Sequence, residues 1–224
     1  MSIEVFLAGF FFLFIIVTLT ASSQLGNKLS FGESGLDPGA LLQDIIDDPK
    51  KFRMSVYLAL VEHGSIIALA IALFVAFSSY NLMLGVVWLI SRTVEGLINF
   101  NSQKNYWGLL TISRQYSGTS GAEKESVSEL GRSIVETKHY RFTYAQLLFS
   151  IGTLSYSILF VTYAVIPEII GWFGIVAGLL YGLGNGITVA KPKNKIVASL
   201  GGLLIFVFEA VLGVWLIYSS IFIL

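Results

Sequence analysis

The sequence predicts an all-α, polytopic membrane protein with six transmembrane helices and one interfacial amphipathic helix. Of its 224 residues, 55% are hydrophobic and only 12% are charged, whereas soluble domains are about 25% charged. Mean hydropathy is +0.77, and a helix that crosses the hydrocarbon core needs roughly 20 mainly apolar residues. Because so few charges do not cover a water-soluble globule, the composition argues against a soluble enzyme and against a disordered chain.

Six apolar runs have the length that a membrane span requires. They cover residues 5–20, 54–77, 82–100, 142–165, 169–190 and 196–219. The first run lacks the basic residues that precede the apolar core of a signal peptide, so we expect it to be retained as a span. Polar loops of residues 25–52 and 101–141 separate spans one and two and spans three and four. We predict a single integral membrane domain over residues 1–224.

Each polar loop contains an amphipathic stretch. In the first loop, Asp37 is a typical N-cap and Pro38 fits the first helical position. One face of the turns that follow is apolar, with Leu41, Leu42, Ile45 and Ile46. We interpret this stretch as an interfacial helix on the membrane. The second loop carries a narrow apolar stripe, which favours an exposed helical connector, with docking of a partner as the alternative. Its members are Val127, Leu130 and Ile134.

The distribution of basic residues predicts the orientation, because Lys and Arg in short loops concentrate on the cytoplasmic side. Six spans place both termini and two short turns on one face, where there is no Lys or Arg. The opposite face holds all the basic residues except Arg92. They are Lys28, Lys50, Lys51, Arg53, Lys104, Arg114, Lys124, Arg132, Lys138, Arg141, Lys191, Lys193 and Lys195. We therefore predict a multi-pass protein of the cell membrane with cytoplasmic polar loops and both termini outside.

Polar residues inside the apolar runs are the candidate site residues, since a charge at the bilayer centre costs about 2.5–3.5 kcal/mol. They are Glu62, His63, Arg92, Glu95, Asn99 and Glu209. At about 1.5 Å of rise per residue, the ionisable ones lie roughly 10–20 Å from the polar-loop face, so we expect them to share one layer. Three carboxylates then accompany one guanidinium, and at least one carboxyl should be protonated or hold a cation. Arg92 should pair with Glu95 or Glu209.

Two further stripes recur at helical spacing. Span four carries a polar one, with Gln146, Ser150, Thr153 and Ser157. Span five carries a stripe of glycines, which lets membrane helices approach closely. Its members are Gly174, Gly178, Gly182 and Gly186. For the glycine stripe we expect a neighbour within the chain rather than in a second subunit.

The composition also limits the chemistry. The chain has no Cys and only two His residues, and it lacks the common metal, nucleotide and hydrolase motifs. We therefore assign no catalytic residue, no metal and no cofactor. Zero net charge argues against a nucleic-acid partner. The expected partners are the lipid bilayer, a small ligand or proton, and a second copy or a membrane-complex partner.

Three functions are compatible with these residues. The leading hypothesis is a non-enzymatic membrane protein whose Arg/Glu cluster binds or relays a small ligand or proton. The alternative is a structural or accessory subunit of a membrane complex, in which buried charges only fix helix packing. An intramembrane enzyme ranks third among the hypotheses, because no spacing of a nucleophile and a base in the sequence supports it.

Several motifs together resemble a prokaryotic six-span membrane family, domain of unknown function 4386. The motifs are Asp47-Asp48-Pro49, Arg92-Thr93-Val94-Glu95, the stretch from Gly152 through Pro167 to Gly171 and Gly174, and Glu209 followed by Gly213-Val214-Trp215-Leu216. The resemblance implies six helices and places Arg92, Glu95 and Glu209 in the family pattern, but it implies no reaction. The family's usual basic residues near the N-terminus are replaced here by Glu4. Those basic residues would favour termini inside, which is the alternative orientation.

Overall fold

The computed structural model describes residues 2–26, 37–192 and 194–223. Every regular element in this part of the chain is an α-helix. The helices are α1 (Ile3–Gln24), α2 (Pro38–Asp47), α3 (Pro49–Phe77), α4 (Leu82–Trp107), α5 (Leu109–Gly118), α6 (Gly121–Thr162), α7 (Glu168–Ala190) and α8 (Ile196–Phe222). Lys28 and Lys193, two of the charges behind the predicted orientation, lie outside the described residues, as does part of the first polar loop.

Within the described ranges, six helical segments are long and apolar enough to cross a membrane, which confirms the predicted fold class and span count. They are α1, α3, α4 continued by α5, α6, α7 and α8. Large apolar side chains stand on exposed faces of these helices, such as Ile169, Leu183 and Leu203. Such surfaces are unusual in a soluble protein but expected against lipid.

The helices extend beyond the predicted spans into polar sequence. α3 begins at Pro49 rather than at 54, and α6 runs without a break from Gly121 to Thr162. A connector helix within the polar segment 101–141 and a separate span were expected there; in the structure the segment is largely helical, and its connector helix is continuous with the span. Glu, Lys, Arg and Gln are good helix formers, and helical hydrogen bonding therefore continues after the hydropathy has fallen.

Two Asp-Pro pairs start helices. Asp37 caps α2 as predicted, because its carboxylate accepts a hydrogen bond of 3.1 Å from the Gly39 N–H. Asp48 repeats the arrangement before Pro49, and its carboxylate accepts from the Lys51 N–H at 2.9 Å. Each cap satisfies an N–H at a helix start that has no partner within the helix.

The chain separates into two compact units. The first consists of Met1–Val17, Gly64–Leu97 and Thr143–Leu224, and the second of Thr18–His63 and Ile98–Phe142. The single domain over residues 1–224 stays a prediction.

Each unit has its own apolar core. In the first, aromatic rings meet at Tyr156, which lies 4.5 Å from Trp88 and 6.0 Å from Phe208 between ring centroids. In the second, Leu41, Leu42 and Ile45 of the predicted apolar face of α2 are buried together with residues of α3 to α6, whereas Ile46 is only partly buried. The buried side chains of this core are Leu41, Leu42, Ile45, Phe52, Val56, Tyr106, Leu109, Leu110 and Val135.

Candidate functional site

Arg92 is the buried cation of the first unit, with only 1% of its surface exposed. It lies on α4, where Glu95 follows one turn later on the same face. Arg92 Nη1 donates a hydrogen bond of 2.6 Å to Glu95 Oε2. This is the short distance expected when both partners are charged. The predicted pairing of Arg92 with Glu95 is confirmed.

Glu209 approaches the same guanidinium from α8. Its Oε1 lies 3.9 Å from Arg92 Nη2, which is an ion-pair distance but too long for a hydrogen bond. Glu209 is buried. We call Arg92, Glu95 and Glu209 the Arg92 cluster. In this cluster one guanidinium lies beside two carboxyl groups, and it is closer to Glu95 than to Glu209.

The walls around the guanidinium are apolar. The Arg92 Cζ atom lies 4.3 Å from the centroid of the Phe149 ring and 5.4 Å from that of Trp88. A Cβ atom at Gly152 would lie 3.1 Å from Arg92 Cγ, so glycine there leaves room for the arginine. Aromatic faces attract the cation but accept no conventional hydrogen bond. Within the described residues, Arg92 Nε has no hydrogen-bond partner.

The polar stripe of α6 is buried, as the spacing predicted, with Gln146, Ser150, Thr153 and Ser157 all below a tenth exposed. Gln146 Oε1 accepts a hydrogen bond of 3.0 Å from the Tyr181 hydroxyl on α7. Tyr156 and Tyr181 interact electrostatically with Glu209. Tyrosine hydroxyl groups therefore interact with the Arg92 cluster, in addition to the aromatic rings beside the guanidinium.

Three of the predicted site residues belong to the second unit. Glu62, His63 and Asn99 are buried there. Glu62 Oε1 lies 3.8 Å from His63 Nδ1. The structure thus brings Arg92, Glu95 and Glu209 together in one unit, and a layer shared by all the ionisable site residues stays a prediction.

The prediction of a single buried cation was wrong, because Lys138 is also buried. Its Nζ lies 3.7 Å from the centroid of the Tyr106 ring, and it interacts electrostatically with both Glu62 and His63. Glu62 therefore has a cation of its own, and the surplus of negative charge falls on the Arg92 cluster. Lys138 extends the stripe through Val127 and Ile134 by one turn, which is the signal that would have identified it.

The glycine stripe of α7 has neighbours within the chain at three positions. A Cβ at Gly174 would meet Ser157 and Phe208, one at Gly178 would lie 3.2 Å from Leu154, and one at Gly182 would lie 3.1 Å from Ser150. At Gly186 a Cβ would meet nothing within 4 Å. Close packing at Gly186 stays a prediction.

Apolar spanning helices and buried Arg and Glu residues define an integral, multi-pass membrane protein. A family model described as Domain of unknown function (DUF4386) matches residues 7–219. The chain belongs to this family, as its motifs implied. The match covers the whole Arg92 cluster. No curated protein and no solved structure matches the chain.

Proposed function

We propose that the protein binds and releases a proton within the membrane, and that Glu209 is the group that carries it. One observation supports this proposal above the others: Arg92 is 2.6 Å from Glu95 but 3.9 Å from Glu209. The pair of Arg92 and Glu95 is neutral in itself. A second ionised carboxylate beside it would be a net charge in surroundings of low dielectric, so Glu209 is neutralised by a proton.

The groups around Glu209 come from three helices. Arg92 and Glu95 lie on α4, Tyr156 on α6 and Tyr181 on α7, and each interacts electrostatically with Glu209. Tyr156 and Tyr181 carry phenolic hydroxyl groups, which can both donate and accept hydrogen bonds. Arg92 stays charged throughout. A shift of its guanidinium from Glu95 to Glu209 would favour transfer of the proton from Glu209 to Glu95, because the carboxyl group that loses the ion pair is then the one that needs to be neutralised.

Infrared difference spectroscopy of the membrane-reconstituted protein tests this proposal. The wild type should show a C=O stretch from a protonated, buried carboxyl that disappears in Glu209→Gln. Glu168→Gln is the matched control, because Glu168 is exposed at the start of α7, and it should leave the band unchanged. An identical band in Glu209→Gln and the wild type would refute the proposal.

A structural role for the cluster is the second candidate, because the contact between Arg92 and Glu209 joins α4 to α8. The free energy of unfolding separates the two candidates. Gln resembles a neutral carboxyl, so Glu209→Gln should change stability by less than about 1 kcal/mol if Glu209 carries a proton. If the ionised pair fixes the packing, removal of one partner should cost about 3–5 kcal/mol.

A further inference from the structure

The second unit contains a cavity of about 290 Å³ between the end of α4 and the first half of α6. We call it the α4–α6 cavity. The residues that line it are Ser102, Asn105, Ser133, Ile134, Thr137, Lys138 and Arg141. On α6, positions 133, 137 and 141 recur every four residues and so face the same way.

The lining of this cavity is basic. Two of the described lining residues are basic and none is acidic. The Nη1 atom of Arg141 is buried and finds no hydrogen-bond partner in the part of the chain that the structure describes. A buried guanidinium N–H without an acceptor is unfavourable. Asn105, Ser133 and Thr137 add amide and hydroxyl donors beside it.

Such a set of donors suits an anion with several acceptor oxygens. A guanidinium matches the geometry of phosphate oxygens with two parallel N–H groups, and charge-assisted bonds of this kind are about twice as strong as neutral ones. Lys138 contributes a second basic group, although it also interacts with Glu62. Arg141 is therefore the principal anion-binding group.

The sequence indicates the level of the cavity in the bilayer. The predicted third span ends at 100 and the fourth begins at 142, so the lining residues at 102–105 and 133–141 come directly after and before hydrocarbon-spanning sequence. The headgroup layer borders the hydrocarbon core. Basic pockets between transmembrane helices at that level bind the phosphates of anionic lipids.

We propose that the α4–α6 cavity binds a phosphate group at the level of the lipid headgroups, with Arg141 as its main contact. Its volume of about 290 Å³ lies just below the range for small-molecule sites, about 300–1,000 Å³, which suits a headgroup rather than acyl chains. The proposal does not depend on the proposed proton site, because the cavity shares no residue with the Arg92 cluster.

Native mass spectrometry of the detergent-purified full chain with added phosphatidylglycerol tests the lipid source. Arg141→Gln should bind this lipid about tenfold more weakly than the wild type, since one hydrogen-bonded charge is lost. Arg132→Gln is the matched control. It removes the same charge from the same helix at an exposed position, where Arg132 pairs with Glu129 at 3.3 Å, and it should bind like the wild type.

Line broadening of inorganic phosphate in ³¹P NMR tests the soluble source, with a detergent that contains no phosphate. Binding of phosphatidylglycerol alone assigns the site to a lipid headgroup. Binding of inorganic phosphate that Arg141→Gln weakens assigns it to a soluble phosphate compound. Equal binding by the wild type and Arg141→Gln, or an equal loss in Arg132→Gln, would overturn the proposal.

If circular dichroism and gel filtration show that Arg141→Gln does not fold, a second variant that keeps Lys138 and Arg141 tests the site. Ser133→Ala combined with Thr137→Val removes two hydroxyl donors from exposed positions of α6. It should weaken binding of the same probe by at least about threefold. Unchanged binding in this double variant would then count against the site.

Discussion

The burial of Arg92 determines which residue types can surround its side chain. A guanidinium stays charged in a protein, and here only 1% of it is exposed. It therefore needs a carboxylate partner, which Glu95 supplies from the same helix. The aliphatic part of the Arg92 side chain also needs space, which is available because residue 152 is a glycine. Its guanidinium packs against the ring of Phe149.

Removal of Arg92 alone should be strongly destabilising. Arg92→Met leaves Glu95 buried without its cation, and loss of one partner of a buried ion pair costs about 3–5 kcal/mol. The double variant Arg92→Met with Glu95→Leu removes both charges and should recover most of that loss. Unfolding of each variant in mixed detergent micelles gives the free energies.

The control for this series is Arg53→Met, which removes an exposed charge from α3 and should stay within about 0.5 kcal/mol of the wild type. A double variant as unstable as Arg92→Met would mean that Glu95 is not the partner that requires Arg92.

The residues of the Arg92 cluster could be predicted because each one interrupts an apolar run. A charged residue within a run of Leu, Ile and Val is easily recognised, and the apolar run around it predicts that its side chain is buried. Lys138 could not be found in that way, since its neighbours in sequence are Glu136 and His139. Its burial comes from the helical face it occupies and from Tyr106 across from it, which depends on tertiary contacts.

At the scale of elements, α7 and α8 approach each other backbone to backbone. A Cβ at Gly201 would lie 2.6 Å from Tyr181 Cα, and one at Gly184 would meet the backbone of Ala198. Both glycines lie outside the predicted stripe, which instead faces Leu154, Ser150 and other side chains. Small residues are what such close helix contacts require.

A matched pair of neighbouring glycines on α8 tests this contact. Gly201→Ala should destabilise the protein by about 1–3 kcal/mol, because the new methyl group meets backbone that has no rotamer to change. Gly202→Ala places its Cβ 3.4 Å from the Tyr181 ring, an ordinary contact. It should be neutral or stabilising by up to about 1 kcal/mol, since alanine favours a helix over glycine.

Thermal unfolding of Gly201→Ala, Gly202→Ala and the wild type in the same detergent measures both changes in stability. A larger loss in Gly202→Ala than in Gly201→Ala would contradict the backbone contact between α7 and α8.

The helices themselves were predictable, but several of their ends were not. Hydropathy locates the segment that needs lipid and therefore gave all six spans. It does not report where helical hydrogen bonding stops. The 42-residue helix α6 has a polar first half and an apolar second half, and nothing at the junction breaks it. Gly108 does interrupt the chain between α4 and α5, where its N–H bonds the Asn105 carbonyl at 3.0 Å.

At the scale of the whole molecule, the orientation in the membrane depends on charge. Lys138 is buried with Glu62 and Tyr106, so it is not a free loop charge. Twelve basic residues then remain on the polar-loop side against none on the other. An asymmetry of this size still predicts cytoplasmic polar loops, because the rule counts Lys and Arg near the ends of spans.

Single cysteines can test this orientation without background, since the chain contains no Cys. Glu125 on α6 and Glu168 on α7 are both exposed and belong to opposite predicted faces. A membrane-impermeant maleimide added to intact cells should label Glu168→Cys, whereas Glu125→Cys should react only after permeabilisation. The reverse pattern would place the termini inside, as the family's usual basic residues favour. Labelling of both in intact cells would contradict a membrane crossing by α6, because the single span between these two positions should place them on opposite sides.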